Sequence, residues 1–177
     1  MKVISVFGGS TPQPGSAAYA EARAVGRLLA EAGFAVATGG YIGTMTAVSQ
    51  GAAEAGGRVI GVTCDQIERF RPIGPNRFVT QEIRYATLRE RLLHLVTAND
   101  GVITLPGGIG TLSEMALAWS FLQTGEISPR PLVLLGPLWR AVLDAFNHPD
   151  YVRESHRALL SFADTPETAV RLVGSTL

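Results

Sequence analysis

Apolar residues in this chain gather in short continuous runs. Val3–Phe7, Phe34–Thr38, Val59–Val62, Val102–Leu105 and Leu132–Leu135 are rich in Val, Ile, Leu, Ala and Phe and are bounded by Gly or Pro. They are short for helices, and their lack of apolar/polar alternation predicts strands covered on both faces. Arg77–Thr80 is a weaker candidate for a further strand. Between these runs the apolar spacing becomes helical. Val25, Leu28, Leu29 and Ala32 mark a helix over Ala17–Ala32, which Gly33 ends. Thr44–Ala55 runs into Gly56-Gly57 in the same way. Thr87–Ala98, Thr111–Gln123, Pro137–Phe146 and Pro166–Val173 complete the helices, the last two opened by a first-turn proline. Strand and helix alternate, so the expected fold is α/β: an open parallel sheet of about six or seven strands with helices on both faces. Asp65–Asn76 reads as an irregular loop over the sheet edge. With 177 residues and no internal repeat, one domain spanning 1–177 is expected.

Charge narrows the function classes. The 15 basic and 15 acidic residues give a formal net charge of zero, so no global field draws the chain to nucleic acid or to an anionic membrane. No apolar run approaches the roughly 18–20 residues that cross a bilayer, and glycine interrupts the first apolar run too early for a signal peptide. The lone cysteine, Cys64, excludes an internal disulfide and a cysteine-cluster metal site. His94, His148 and His156 share no ligand spacing and read as surface or solvated residues. A cytoplasmic protein without metal, cofactor, membrane or nucleic-acid partner is expected. Lys2 is the only lysine. A P-loop needs a lysine beside the phosphates, and pyridoxal phosphate enzymes need one for a Schiff base. Lys2 precedes the first strand, at the wrong end of the sheet for either chemistry.

The glycines point to the chemistry. Gly8-Gly9-Ser10-Thr11, Thr38-Gly39-Gly40-Tyr41-Ile42-Gly43-Thr44-Met45 and Pro106-Gly107-Gly108-Ile109-Gly110-Thr111-Leu112-Ser113-Glu114 each follow a predicted parallel strand. Open α/β sheets bind ligands at those strand ends, where glycine admits close approach and a following helix N-terminus offers free N–H groups. Tight strand-to-helix turns use glycine for purely structural reasons too, but several at one sheet edge indicate a phosphate-bearing ligand. The second turn replaces the acidic residue that a dinucleotide site requires at the end of its second strand. A mononucleotide or sugar phosphate fits better than NAD.

Two charged residues are candidates for catalysis. Thr111-Leu112-Ser113-Glu114 fits a helix capping box, yet a first-turn Glu114 also faces the mouth of a glycine crevice. There a carboxylate would stabilise positive charge on a sugar ring or activate water. In the helix Thr87–Ala98, Arg91 flanks the stripe of Leu88, Leu92, Leu95 and Val96, which suits a snorkelling arginine as well as a site residue. Cys64 reads as a small buried hydrophobe and Trp119 as core or a subunit contact. Tyr41 is either an exposed turn residue or a platform for a base.

Thr38-Gly39-Gly40…Gly43…Met45, and Glu90-Arg91 followed by Pro-Gly-Gly-Ile-Gly-Thr-Leu-Ser-Glu over 106–114, resemble the two signatures of the Lonely Guy family, formerly called possible lysine decarboxylases. Ala163-Asp164-Thr165-Pro166-Glu167 is also similar, and the resemblance covers nearly the whole chain. It implies a Rossmann-like fold, a homodimer or larger assembly such as a homotetramer, and cleavage of the N-glycosidic bond of AMP-like or cytokinin-type nucleoside 5′-monophosphates. It makes Arg91 and Glu114 the catalytic pair. It makes Gly107, Gly108, Ile109, Gly110 and Thr111, with Gly39 and Gly40, the phosphate cradle; Ser10 and Met45 join the nucleotide site. The family commonly has Met-His-Glu-Arg-Lys around the arginine, where this chain has Leu88-Arg89-Glu90-Arg91-Leu92. A related branch contains molybdenum-cofactor carrier proteins, which implies the alternative of binding a nucleotide or phosphorylated pterin without turnover.

Overall fold

The computed structural model describes all residues, Met1–Leu177. The strands are β1 (Val3–Phe7), β2 (Ala35–Thr38), β3 (Val59–Cys64), β4 (Gln81–Tyr85), β5 (Gly101–Thr104), β6 (Leu132–Leu135) and β7 (Leu160–Ala163). They form one parallel seven-stranded sheet in the order β4-β3-β2-β1-β5-β6-β7. The helices are α1 (Ala17–Glu31), α2 (Thr44–Glu54), α3 (Asp65–Phe70), α4 (Leu88–Thr97), α5 (Ile109–Thr124), α6 (Pro137–Phe146), α7 (Glu154–Arg157) and α8 (Pro166–Gly174). The open parallel sheet read from the apolar runs is therefore present.

Alternate residues of the strands feed two cores. Ile4, Val6, Val36 and Val133 pack under α1, α2 and α8 with Val25, Leu29, Val48 and Val173. Phe7, Val62, Val102 and Leu134 pack under α4, α5 and α6 with Leu95, Met115, Trp119 and Trp139. The one polar residue in the middle of β1, Ser5, is buried and donates its hydroxyl to the Leu95 carbonyl at 2.8 Å, which satisfies it.

Two expectations need correction. Arg77–Thr80 is not a strand; the edge strand begins at Gln81 and carries Glu82 and Arg84 on an exposed surface. Asp65–Asn76 is only partly irregular, because 65–70 form α3. α3 is tied to β4 by Arg84, which bonds Asp65 at 2.7 Å and Glu68 at 2.6 Å. Its Gln66 side chain also accepts from the Leu88 backbone N–H at 3.0 Å.

The chain runs outward from β1 to β4 and then crosses to β5 on the other side of β1. Strand order thus reverses between β1 and β5. The loops leaving neighbouring strands there diverge to opposite faces and open a crevice at the C-terminal sheet edge.

Candidate active site

The glycine turns meet at that crevice. Gly9 N donates to Pro106 O at 3.3 Å, and Thr44 donates both its N–H and its hydroxyl to Gly9 O at 2.9 Å. The turns after β1, β2 and β5 therefore brace one another around a cavity of about 400 Å³. That volume lies within the range of small-ligand sites, roughly 300–1,000 Å³. Ser10, Gly39, Met45, Arg91, Gly108, Ile109, Gly110, Thr111 and Glu114 all line it.

Gly40 and Gly107 do not. Gly40 adopts φ 77° and turns toward β3, where its carbonyl accepts the Asn76 N–H at 2.7 Å. Gly107 is required by packing: a Cβ there would strike the Thr111 side chain and approach Gly9 N to 2.9 Å. Both shape the turns from behind. By contrast, a Cβ on Gly108 or Gly110 would meet no protein atom, so the chain's own packing does not demand glycine at either position.

The capping box expected at Thr111–Glu114 is absent. α5 begins earlier, at Ile109, with Gly108 as its N-cap and no side chain bonded to the first-turn N–H groups. The first intrahelical bond of that turn is donated by Leu112 N to Gly108 O, so the N–H groups ahead of it are free and the positive end of the helix dipole opens on the pocket. A capping box does form in α4. Thr87 accepts from Glu90 N, and the Glu90 carboxylate accepts from Thr87 N at 3.0 Å and Thr87 Oγ at 2.7 Å. Glu90 thereby fixes the first turn of α4 and the direction in which the next residue, Arg91, projects.

Arg91 does not snorkel. It is 6% exposed and lies across the C-terminal ends of β2 and β3, donating Nε to Val62 O at 2.8 Å and Nη2 to Gly39 O at 3.2 Å. Gly39 is glycine because the guanidinium passes over it: a Cβ would stand 3.1 Å from Arg91 Cζ and 2.6 Å from Met45 Sδ. The remaining nitrogen, Nη1, faces Glu114 Oε1 at 3.6 Å. Burial pushes the Glu114 carboxyl up to about 7, against the lowering pull of Arg91. The result is a carboxyl that holds its proton well above the ordinary carboxylate range, facing a cation whose Nε and Nη2 donate to the backbone.

Tyr41 is not an exposed turn residue, although it lines the cavity. It is 2% exposed, accepts Cys64 N–H at 2.8 Å on its hydroxyl, and sets its ring 5.7 Å from the Arg91 guanidinium carbon. Cys64 is buried, as its size suggests. Trp119 is buried and donates its indole N–H to His156 O at 2.7 Å. His94 is half-buried against Tyr85, hydroxyl to Nδ1 2.8 Å, rather than solvated. Sequence reasoning missed the outer wall of the pocket, where Ile67, Phe70, Arg71 and Ile73 hang over the mouth from α3 and the segment after it. The available signal was the apolar spacing Ile67, Phe70, Ile73 beside a proline.

A parallel sheet with glycine turns and a free helix N-terminus at its switch point defines a Rossmann-like α/β protein. Comparison with known families is specific: the family described as "Possible lysine decarboxylase" matches residues 45–173, and the chain belongs to it, the Lonely Guy family. The chain is 30% identical over 160 residues to a Mycobacterium tuberculosis protein named cytokinin riboside 5′-monophosphate phosphoribohydrolase, covering 81% of this chain and 82% of that one. It is 28% identical over 152 residues to a Rhodococcoides fascians protein of the same name, covering 83% and 75%. Among solved structures, the molybdenum cofactor binding protein of Rippkaea orientalis superposes with a TM-score of 0.77 and 28% identity, over 98% of this chain and 96% of that one. The lysine chemistry suggested by the family's older description has no support in the pocket: Lys2, the only lysine, lies before β1 and bonds the Leu177 carbonyl.

Proposed function

We propose that this chain is a nucleoside 5′-monophosphate phosphoribohydrolase, acting on an AMP-like nucleotide and releasing free base and ribose 5-phosphate. The observation that carries the reading is the buried Arg91–Glu114 pair, 3.6 Å apart, opening onto a cavity bounded by the free N-terminus of α5. The N–H groups ahead of Leu112 receive the 5′-phosphate, with Ser10 beside them. This puts the ribose across Glu114. As the C1′–N bond breaks, its electron pair leaves with the base and positive charge spreads over C1′ and the ring oxygen. The ionised Glu114 carboxylate stabilises that charge and accepts a proton from the attacking water, whose oxygen bonds to C1′; that proton then passes from Glu114 to the departing base, which restores the carboxylate. Preorganised charge of this kind supplies several kcal/mol of barrier reduction. Arg91 holds the carboxylate in place and keeps enough of it ionised near pH 7.

The test is chromatography of AMP and other 5′-monophosphates after incubation with the pure protein. Equimolar base and ribose 5-phosphate are expected. The likeness to a molybdenum cofactor binding protein favours one other reading, a carrier of a nucleotide or phosphorylated pterin. Retention of an intact ligand with no base released would select it.

The resemblance to the family extends the proposal to a homo-oligomer. An apolar groove of about 770 Å³ between α5 and the 142–156 region, lined by Leu112, Met115, Trp119 and Phe146, is the surface assigned to the second copy. Light scattering on the purified protein tests it, with a monomer at micromolar concentration as the contrary result.

A further inference from the structure

The pocket holds two cations, Arg71 and Arg91, and one carboxylate, Glu114. Their positions divide the labour. Arg91 is buried, and two of its three nitrogens already serve backbone carbonyls while the third faces Glu114. Its charge is already set against the Glu114 carboxylate, so Arg91 alone does not supply the net positive charge that a phosphate dianion calls for. Arg71 is the opposite case. It is exposed at the mouth, it forms no ion pair, and its one hydrogen bond to protein, Nη1 to Ser10 Oγ, is long at 3.5 Å.

Its reach is set by the fold. Ser10 follows Gly9, and Gly9 is bonded to Pro106 O immediately before the 107–111 turn. Ser10, Arg71 and residues 108–111 line the same cavity, so an anion at the N-terminus of α5 shares that cavity with the Arg71 side chain. Arg71 itself follows α3, whose position is fixed by the Arg84 ion pairs to Asp65 and Glu68 and by the Gln66–Leu88 bond. It is delivered from a sheet edge remote in sequence from every glycine turn.

We infer that Arg71 is a binding residue for the phosphomonoester of the ligand, reaching it from the mouth of the cavity. The site is thereby selective for a terminal dianionic phosphate over an uncharged nucleoside. The inference rests on the proposed nucleotide site but not on turnover. The α5 N–H groups supply hydrogen bonds and a partial charge, and Arg71 supplies the full positive charge that a dianion needs.

Equilibrium binding by calorimetry tests it without relying on chemistry, using AMP, ribose 5-phosphate and adenosine against wild type, Arg71→Ala and Arg71→Lys. Loss of a charge-assisted contact predicts AMP and ribose 5-phosphate affinities roughly 10- to 100-fold weaker in Arg71→Ala. Adenosine should stay within about twofold, and Arg71→Lys should recover part of the loss. Arg71 is exposed, so its replacement leaves the core intact. If wild type binds the phosphates but releases no base, the hydrolase reading fails while the phosphate-selective loss still supports Arg71. Phosphate affinities within about threefold of wild type in Arg71→Ala, an equal loss for adenosine, or a wild-type protein that binds neither phosphate at millimolar concentration overturns the inference.

Discussion

Replacing Gly39 with alanine adds one methyl group directly beneath the Arg91 guanidinium. The backbone at Gly39 is not left-handed, so the penalty is steric alone. The new Cβ would lie 2.6 Å from Met45 Sδ and 3.1 Å from Arg91 Cζ, and closer still to Nη2. Met45 can swing aside, but Arg91 is pinned by Val62 O and cannot move without losing its bond to Gly39 O. Nη2 must retreat by about 1 Å, and displacements of that size cost on the order of 100-fold in rate when they misplace a reacting group. The lost hydrogen bond of a charged donor costs about 1.5–3 kcal/mol of stability. For a protein of this size that is a fall in Tm of roughly 3–12 °C. Turnover of AMP measured by base release, paired with thermal unfolding, checks both numbers. A Gly39→Ala protein with wild-type kcat and wild-type Tm would show that the guanidinium is not seated where its bonds to Val62 and Gly39 put it.

Other substitutions separate packing from binding. Gly110→Ala fills space open to the pocket in the first turn of α5 and should raise stability by a few tenths to about 1 kcal/mol while weakening AMP binding; denaturant unfolding and calorimetry read the two effects. Thr87→Ala removes the cap of α4 and should cost about 1 kcal/mol by denaturant unfolding. The Glu114 carboxyl, raised from its ordinary 4.5 to about 7, binds its proton more tightly in the folded chain. Stability from this group is present below pH 4.5 and lost as pH rises through 7. The unfolding free energy of wild type relative to Glu114→Gln should therefore fall by up to about 3 kcal/mol between pH 4.5 and 8, and a difference independent of pH would count against the buried carboxylate.

How much of this was legible in the sequence depended on burial. β2, β3, β5 and β6 are buried along their whole length, so their sequences are near-continuous apolar runs, interrupted only by glycine and the buried Thr38, Thr63 and Thr104. β4 is an edge strand, with Gln81, Glu82 and Arg84 exposed, and it leaves no such run. The other edge strand, β7, is four residues long with its middle half-buried, and gave no strand signal. Thr-x-x-Glu occurs at both 87–90 and 111–114. Only the first becomes a cap, because the backbone after Gly108 enters the helix before Thr111 is reached and leaves Glu114 free to face Arg91. The glycine turns announced the crevice. The burial of Arg91, the structural use of Tyr41 and the arrival of Arg71 at the mouth all depend on contacts between distant segments, which no local pattern encodes.

The decisive measurement is kcat/KM and kcat for base release from AMP across pH 5–9 for wild type and for Glu114→Gln. Hydrolysis through the Glu114 carboxylate predicts a wild-type kcat/KM that climbs with pH and levels off around the free protein's carboxyl value of about 7. It predicts a glutamine variant that binds AMP but turns over on the order of 100-fold or more slowly, with that inflection gone. Wild-type turnover in the variant, or the same inflection in both proteins, would remove Glu114 from the chemistry and the hydrolytic mechanism with it.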